Sequence, residues 1–297
     1  GEAIGDALLP VLKFQHRDVV DTFLPLETGF HNLAIVSSKQ RFPRQARKTA
    51  LGLLGAGQMM FLKVVVVVDE NHQVKDLDAL LDALEEKVSV PHDLVTLKGM
   101  VADSLAHTSP WENIHDKLII DATTAMQNDP IGPVVKEHVG DSLAITVSAL
   151  DGVAQARMLR PSMMVITTEV QGGPVPEESM EEENEELANI QRQRISTIID
   201  SVWKLEASKG LRWLFITDID ADLQDENWKR RLLWQLFSRF DVSRDLHFDE
   251  SEARVAWDAT APIPSKEGPI PVRRWPAVTL HDPDLVRTVD EWLSQRL

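Results

Sequence analysis

The most hydrophobic stretch of the chain is a run of five consecutive valines between Leu62 and Asp69. β-branched side chains favour the extended backbone, and a short apolar run that ends in polar residues is typical of a strand buried on both faces. Burying one valine contributes about 1.5–3 kcal/mol, so five contribute roughly 7–15 kcal/mol, comparable with the net stability of a typical domain. The pattern predicts a central strand in a parallel or mixed sheet covered by helices.

Helix and strand patterns alternate around this run. Leucines recur at helical spacing over residues 74–88, with acidic residues on the other face, and a second helix is predicted to begin after Pro43. Short apolar segments at 31–37, 94–97 and 117–121 are typical of strands. The order strand, helix, strand, helix, strand predicts a layered α/β unit with mostly parallel strands.

The same pattern occurs a second time. Residues 211–220 (LRWLFITDID) align with the valine run, so that Arg212 corresponds to Lys63 and Asp218 to Asp69. Two further segments repeat in the same order: FDVSRDL at 240–246 repeats VSVPHDL at 88–94, and WDAT at 257–260 repeats IDAT at 120–123. Three ordered matches predict an internal duplication.

The predicted fold class is α/β, with two tandem related layered units whose mostly parallel, mixed sheets are flanked by helices. In the second copy we expect strands at 163–170, 211–217 and 253–257 and helices over 187–205 and 228–240. The predicted parts are a leading segment at 1–30, a first unit at 31–135, an irregular linker at 136–160, a second unit at 161–281 and a C-terminal helix at 282–297. An apolar stripe on that helix is expected to dock on its own domain or on a neighbour.

Composition excludes several classes of function. A formal net charge of −16 disfavours binding to nucleic acid or to an anionic membrane surface, and no apolar segment is long enough to span a bilayer. The absence of cysteine excludes thiol catalysis, disulfides and cysteine-ligated metals, and a reducing, cytoplasmic location is expected. The N-terminal residues GEAIGDALLPVLKF match neither a signal nor a transit peptide and suggest either a cut into a longer chain or residues left by a cloning vector.

Candidate chemical groups are few. Asp218, Asp220 and Asp222 follow a central strand, where Mg²⁺ ligands and phosphoryl-accepting aspartates occur, although a solvated loop has the same pattern. The glycines at 52, 55 and 57 precede the strand instead of following it, which favours a helix end over a phosphate loop. The histidines show no metal-ligand spacing, and His31, His107 and His115 are predicted to be surface or capping residues. Neither a catalytic residue nor a metal site is predicted.

Four segments of the first copy resemble the C-terminal part of UbiD-type decarboxylases, the polyprenyl-hydroxybenzoate carboxy-lyase family. They are FHNLAIVSSKQRFPRQARK at 30–48, MMFLKVVVVVDENHQVKD at 59–76, ALEEKVSVPHDL at 83–94 and LIIDAT at 118–123. Residues 214–248 of the second copy resemble the same strand and helix, followed by the family's arginine–aspartate turn at Arg239, Asp241, Arg244 and Asp245. The doubled region is similar to the long members associated with menaquinone biosynthesis.

The resemblance implies a cofactor outside this chain. Family members use prenylated FMN, with a divalent metal at its phosphate, as an electron sink. Their catalytic acid and base and their metal ligands lie in a preceding domain, so the resemblance assigns none of these roles here. It implies only that Lys63 lies near the flavin phosphate, and that the corresponding Arg212 has become structural.

The sequence therefore predicts the C-terminal, oligomerising and cofactor-site-covering part of a decarboxylase of aromatic or unsaturated acids in quinone biosynthesis. We expect the chain alone to bind no cofactor and to be inactive. Its expected partners are an upstream catalytic domain and further copies of itself, with a membrane approached only weakly or through a lipophilic substrate. Two alternatives are a non-catalytic scaffold that pairs with a separate catalytic chain, and an Mg²⁺-dependent phosphotransfer enzyme that uses Asp218 and Asp220.

Overall fold

The structure, a computed structural model, describes residues 2–129, 139–140, 142–168, 184–218, 223–224, 228–274 and 282–294. The helices are α1 (Glu2–Gln15), α2 (Gln45–Leu54), α3 (Leu77–Lys87), α4 (Ser142–Ser148), α5 (Glu185–Lys204), α6 (Trp228–Arg239) and α7 (Pro283–Ser294). The strands are β1 (Val19–Phe23), β2 (Leu33–Ser38), β3 (Val64–Asp69), β4 (Leu94–Val101), β5 (Ile114–Ala122), β6 (Val153–Arg160), β7 (Met163–Thr168), β8 (Trp213–Asp218), β9 (Leu246–Asp249) and β10 (Arg254–Asp258). None of the described helices is long and apolar enough to cross a membrane.

The strands form two five-stranded sheets with the same topology. The first has the order β1-β2-β3-β5-β4 and the second the order β6-β7-β8-β10-β9. In each sheet the three inner strands are parallel, and each edge strand is antiparallel to its neighbour. The α/β fold class is confirmed, and the identical strand order shows the duplication. We call the part that contains the first sheet unit one and the part that contains the second sheet unit two.

The valine run forms the middle strand of the first sheet, as predicted. All five valines of β3 are at most 3% exposed. Val64, Val66 and Val68 contribute to one hydrophobic cluster, while Val65 and Val67 contribute to another. A strand buried on both faces therefore separates two cores.

One hydrophobic core is shared by the two units. It combines one face of each sheet with the inner sides of α3 and α6, and its members include Ile35, Val66, Leu84, Phe215, Leu236 and Trp257. The other face of the first sheet packs on α1 and α2, and the other face of the second sheet packs on α4 and α5. Because the central core belongs to both sheets, unfolding of one unit exposes apolar surface of the other.

Two segments differ from the sequence-based prediction. β1 lies in the predicted leading segment and pairs with β2, and β6 lies in the predicted linker and pairs with β7. The linker also contains α4, which is seven residues long. Both strands are sheet edges that combine half-buried polar residues with a register irregularity, so neither shows a clean alternation of apolar and polar positions.

Replacing Val66 by alanine is expected to destabilise both units together. The change removes two methyl groups from the shared core and should lower the free energy of unfolding by about 2–3 kcal/mol. Trp213 and Trp257 are buried in unit two, whereas Trp111 of unit one is half-exposed, so the change in tryptophan fluorescence on unfolding reports mainly on unit two. In a urea titration, the fluorescence midpoint should therefore fall together with the midpoint from circular dichroism. Leu51→Ala, on the exposed face of α2, is the control, and a fluorescence midpoint unaffected by Val66→Ala would contradict the shared core.

Candidate functional site

The central strand of each unit is preceded by a buried cation. Lys63 comes directly before β3 and is 1% exposed, while Arg212 comes directly before β8 and is 8% exposed. Each side chain extends to the C-terminal end of a helix in the other unit. We call Lys63 and Arg212 the reciprocal caps.

The Lys63 ammonium caps α6 of unit two. Its Nζ donates to the carbonyl oxygens of Phe240 at 2.8 Å and Phe237 at 3.2 Å, and to Thr108 Oγ1 at 2.9 Å. The last carbonyl groups of a helix have no partner within the helix and carry partial negative charge. Lys63 thus supplies donors that these buried carbonyls need.

Arg212 makes the corresponding contact on α3 of unit one. Its guanidinium donates to the carbonyl oxygens of Glu85 and, at 2.9 Å, Val88, and its Nε donates to Ser162 Oγ at 2.9 Å. The Glu85 carboxylate lies 3.4 Å from the guanidinium and neutralises part of its charge. On each helix the capped carbonyls belong to the third-last residue and to the residue just after the helix, so the two caps are equivalent.

Burial makes the Lys63 ammonium less stable as a cation. The pKa of Lys63 is lowered to about 8, mainly by desolvation and also by Arg244, while Asp241 and Asp245 oppose the change. At neutral pH the group is still mainly protonated, which agrees with the hydrogen bonds it donates. All three of its N–H bonds are engaged by protein oxygens.

A second buried amine lies in the neighbouring strand. Lys117 of β5 donates to the carbonyl oxygens of Met60, Leu62 and Val101, and its Nζ lies 3.0 Å from His115 Nε2. Desolvation, together with Lys63, lowers the pKa of Lys117 to about 7. Desolvation and the two lysines lower the pKa of His115 to about 2, so its imidazole is neutral. Of the two alternatives predicted for His115, the surface location is wrong, because the side chain is buried and contacts Lys117.

A small recess lies at the carboxyl end of the parallel strands of the first sheet, beside Asp121, and the side chain of Arg44 fills most of it. Asp121 Oδ1 accepts hydrogen bonds from the backbone N–H and the hydroxyl of Thr123, at 3.2 and 2.6 Å. Arg44, just before α2, pairs with Asp93 and, at 2.7 Å, with Asp129. A volume of only about 20 Å³ remains.

At the corresponding end of the second sheet, a different arginine pairs with the aspartate of the turn. Asp258 Oδ1 accepts from the N–H and hydroxyl of Thr260, at 2.9 and 2.7 Å. Here the arginine comes from the turn before β9: Arg244 pairs with Asp245 through two hydrogen bonds of 2.7 Å. The side facing α5 is left open, and a cavity of about 400 Å³ lies there.

Polar groups converge on an otherwise apolar cavity wall. The polar side chains are Gln191, Arg192, Ser243, Arg244, Asp245, His247, Asp258 and Thr260, and the apolar ones include Ala188, Ile195, Pro262, Ile263 and Val272. Burial raises the pKa of Asp258 to about 6, and the nearby Asp218 adds to the rise, while Thr260 and Arg244 oppose it. Burial also lowers the pKa of His247, which keeps its imidazole neutral near pH 7.

The predicted site residues have defined environments. Lys63 contacts protein oxygens, and a flavin phosphate would need one of these contacts to open, so its predicted phosphate contact stays a prediction. Asp218 Oδ2 accepts from Arg239 at 2.6 Å and from the N–H of Ala261 at 2.7 Å. Residues 220 and 222 lie outside the described residues. Within the described ranges no group of three acidic or histidine side chains could hold a metal.

Residues 1–122 match the family described as the 3-octaprenyl-4-hydroxybenzoate carboxy-lyase C-terminal domain, UbiD_C. The matched segment includes β1, the valine strand β3 and all of β5. Unit two repeats its strand order.

Curated relatives are longer than this chain. An uncharacterized protein of Archaeoglobus fulgidus is 39% identical over 129 residues, which are 43% of this chain and 27% of the relative. An uncharacterized protein of Aquifex aeolicus is 40% identical over 129 residues, which are 43% of this chain and 26% of the relative. The matched UbiD C-terminal region thus spans about a quarter of the length of these relatives.

Solved structures of UbiD-class enzymes match part of the chain. Vanillic acid decarboxylase of Sedimentibacter hydroxybenzoicus, in its closed form, is 28% identical, with a TM-score of 0.40, over 45% of this chain and 28% of that chain. The UbiD-class enzyme HmfF of Pelotomaculum thermopropionicum, in complex with FMN, is 19% identical, with a TM-score of 0.38, over 45% of this chain and 30% of that chain.

Replacing Lys63 by methionine should destabilise the protein strongly. The two helix carbonyls would lose buried donors, and we expect the free energy of unfolding to fall by about 3–5 kcal/mol in a urea titration. Arg212→Met should have a similar effect at the equivalent cap. The control Lys209→Met removes an exposed lysine paired with Glu206 and should change stability by about 0.5 kcal/mol or less. Equal stabilities of Lys63→Met and Lys209→Met would contradict the capping role.

Proposed function

We propose that this chain is the C-terminal part of a carboxy-lyase, in which it covers one side of the cofactor site and holds copies of the enzyme together. The match of residues 1–122 to the carboxy-lyase C-terminal domain is the observation that supports this proposal. The chain spans only about a quarter of the relatives' length, which agrees with a catalytic region located elsewhere in such proteins.

In this proposal the cofactor is prenylated FMN, held with a divalent metal mainly by an upstream domain. When bound, the flavin supplies the electron sink for decarboxylation of an aromatic or unsaturated carboxylic acid. A place in quinone biosynthesis and a cytoplasmic location complete the proposal. The contribution of this chain is a rigid wall, because the reciprocal caps and the shared core fix the two units against each other.

The purified chain should not release carbon dioxide from aromatic acids, even when prenylated FMN and Mn²⁺ are added. The reason is that the proposal places the catalytic acid and base and the metal ligands in an upstream region, and the described residues contain no group of three acidic or histidine side chains that could hold a metal. Activity is measured as loss of the acid by chromatography. Turnover by the chain alone would refute the proposal.

The mass of the native protein in its source cells separates the proposal from the scaffold alternative. An antibody to this chain should detect a polypeptide much heavier than 33.3 kDa, and that polypeptide is the positive control for the activity assay. A species of 33.3 kDa would favour a separate scaffold subunit instead.

The proposed role in oligomerisation is supported by the surface of α7. Its apolar residues are 41–55% exposed and lie on one face of the helix: Leu285, Val286, Val289, Trp292 and Leu293. The helix therefore does not bury its stripe against the described part of its own chain. We propose a second copy of the chain as its partner, because burying this stripe is favourable only if another apolar surface covers it.

Substituting Leu285→Asp should reduce the oligomeric state. A carboxylate in the stripe would have to be buried without a partner, so the mass measured by light scattering after size exclusion should fall towards that of a monomer. The control Arg287→Asp adds negative charge on the opposite face of α7 and should leave the mass unchanged. An unchanged mass for Leu285→Asp would contradict the role of α7.

A further inference from the structure

One wall of the cavity of unit two is formed by residues 262–272, a segment that is fixed to α5. Glu185 at the start of α5 accepts hydrogen bonds from Ser265 Oγ at 2.5 Å and from the N–H of Lys266 at 2.6 Å. Ser265 also exchanges two backbone hydrogen bonds with Val272, at 2.8 and 3.0 Å. These hydrogen bonds fix the position of residues 262–272, which line one side of the cavity.

The duplication provides an internal comparison for this cavity. In unit one, Arg44 comes from the side of α2, pairs with Asp93 in the turn before β4, and fills the recess beside Asp121. In unit two, the equivalent Asp245 is neutralised by Arg244 from the turn, so the space beside α5 needs no arginine. Helix α5 has twenty residues where α2 has ten, and its first half, including Ala188 and Gln191, lines the space.

Asp258 forms no ion pair with a cation of the described residues, although Arg244 acts on it electrostatically. Both of the close hydrogen bonds of Arg244 go to Asp245. Thr260 occupies only Oδ1 of the carboxylate. A carboxylate that is only partly compensated and that faces an apolar wall gains most from a ligand that brings a positive charge.

We infer that the cavity of unit two binds an organic cation with an apolar body. This inference does not depend on the proposed role in decarboxylation. The cationic nitrogen pairs with Asp258, and the body packs on Ile195, Ile263 and Val272. A volume of about 400 Å³ is within the range of small-molecule sites. Two arginines lie in the wall and would favour an anion. Arg244 is already paired with Asp245, and the Arg192 guanidinium donates to Asn189 at 2.7 Å, at the half-exposed rim.

Three probes with the same apolar body test the inference by calorimetry. They are cyclohexylmethylamine, cyclohexylmethanol and cyclohexanecarboxylate, measured on the whole chain at a pH where Asp258 is ionised. A charged hydrogen bond contributes about 1.5–3 kcal/mol, so the amine should bind at least about ten-fold more tightly than the alcohol. Tighter binding of the carboxylate would overturn the inference, as would absence of saturable binding by the amine.

Two matched substitutions locate the binding site. Asp258→Asn should abolish the preference for the amine over the alcohol. Asp121→Asn, the same change at the equivalent position of unit one where Arg44 fills the recess, should leave the preference unchanged. Circular dichroism confirms that each variant is folded, and the comparison of probes on the unsubstituted chain does not depend on either variant. A preference that survives Asp258→Asn would overturn the inference.

Discussion

Two helices of this protein end inside its core, and their last carbonyl groups must find donors there. Leaving such a group buried and unpaired costs about 1–3 kcal/mol, so the position of every nearby donor is constrained. Lys63 and Arg212 supply the donors across the boundary between the units. The relative position of the two sheets, the shared hydrophobic core and the geometry of the strand ends all depend on this exchange.

Much of the fold could be predicted because its inner strands and helices have strong periodic patterns. The valine run and its counterpart in unit two are buried on both faces, and the leucines of α3 mark its core side. The edge strands β1 and β6 were missed because edge positions tolerate polar residues such as Asp21 and Arg157. The shared core was also beyond prediction, since periodicity shows which face is buried and not what covers it.

The candidate sites were harder to predict, because their partners are remote in sequence. Lys63 meets carbonyl groups 174 and 177 residues further along, and no local pattern signals such a contact. The cavity combines α5, β9 and the 262–272 segment, whose residues lie far apart. Alignment of the two copies did identify Asp258 as the residue equivalent to Asp121. Their surroundings differ because the nearby arginine precedes α2 in unit one (Arg44) and lies in the turn before β9 in unit two (Arg244).

The reciprocal caps are one contact made twice in opposite directions: the cation of each unit holds the helix of the other. That is the defining pattern of an isologous interface, in which two identical subunits meet across a twofold axis. A protein with a single unit could make both contacts only by pairing with itself. This chain therefore carries the geometry of a homodimer within one polypeptide, and neither half retains all of its hydrogen-bond donors if the two are separated.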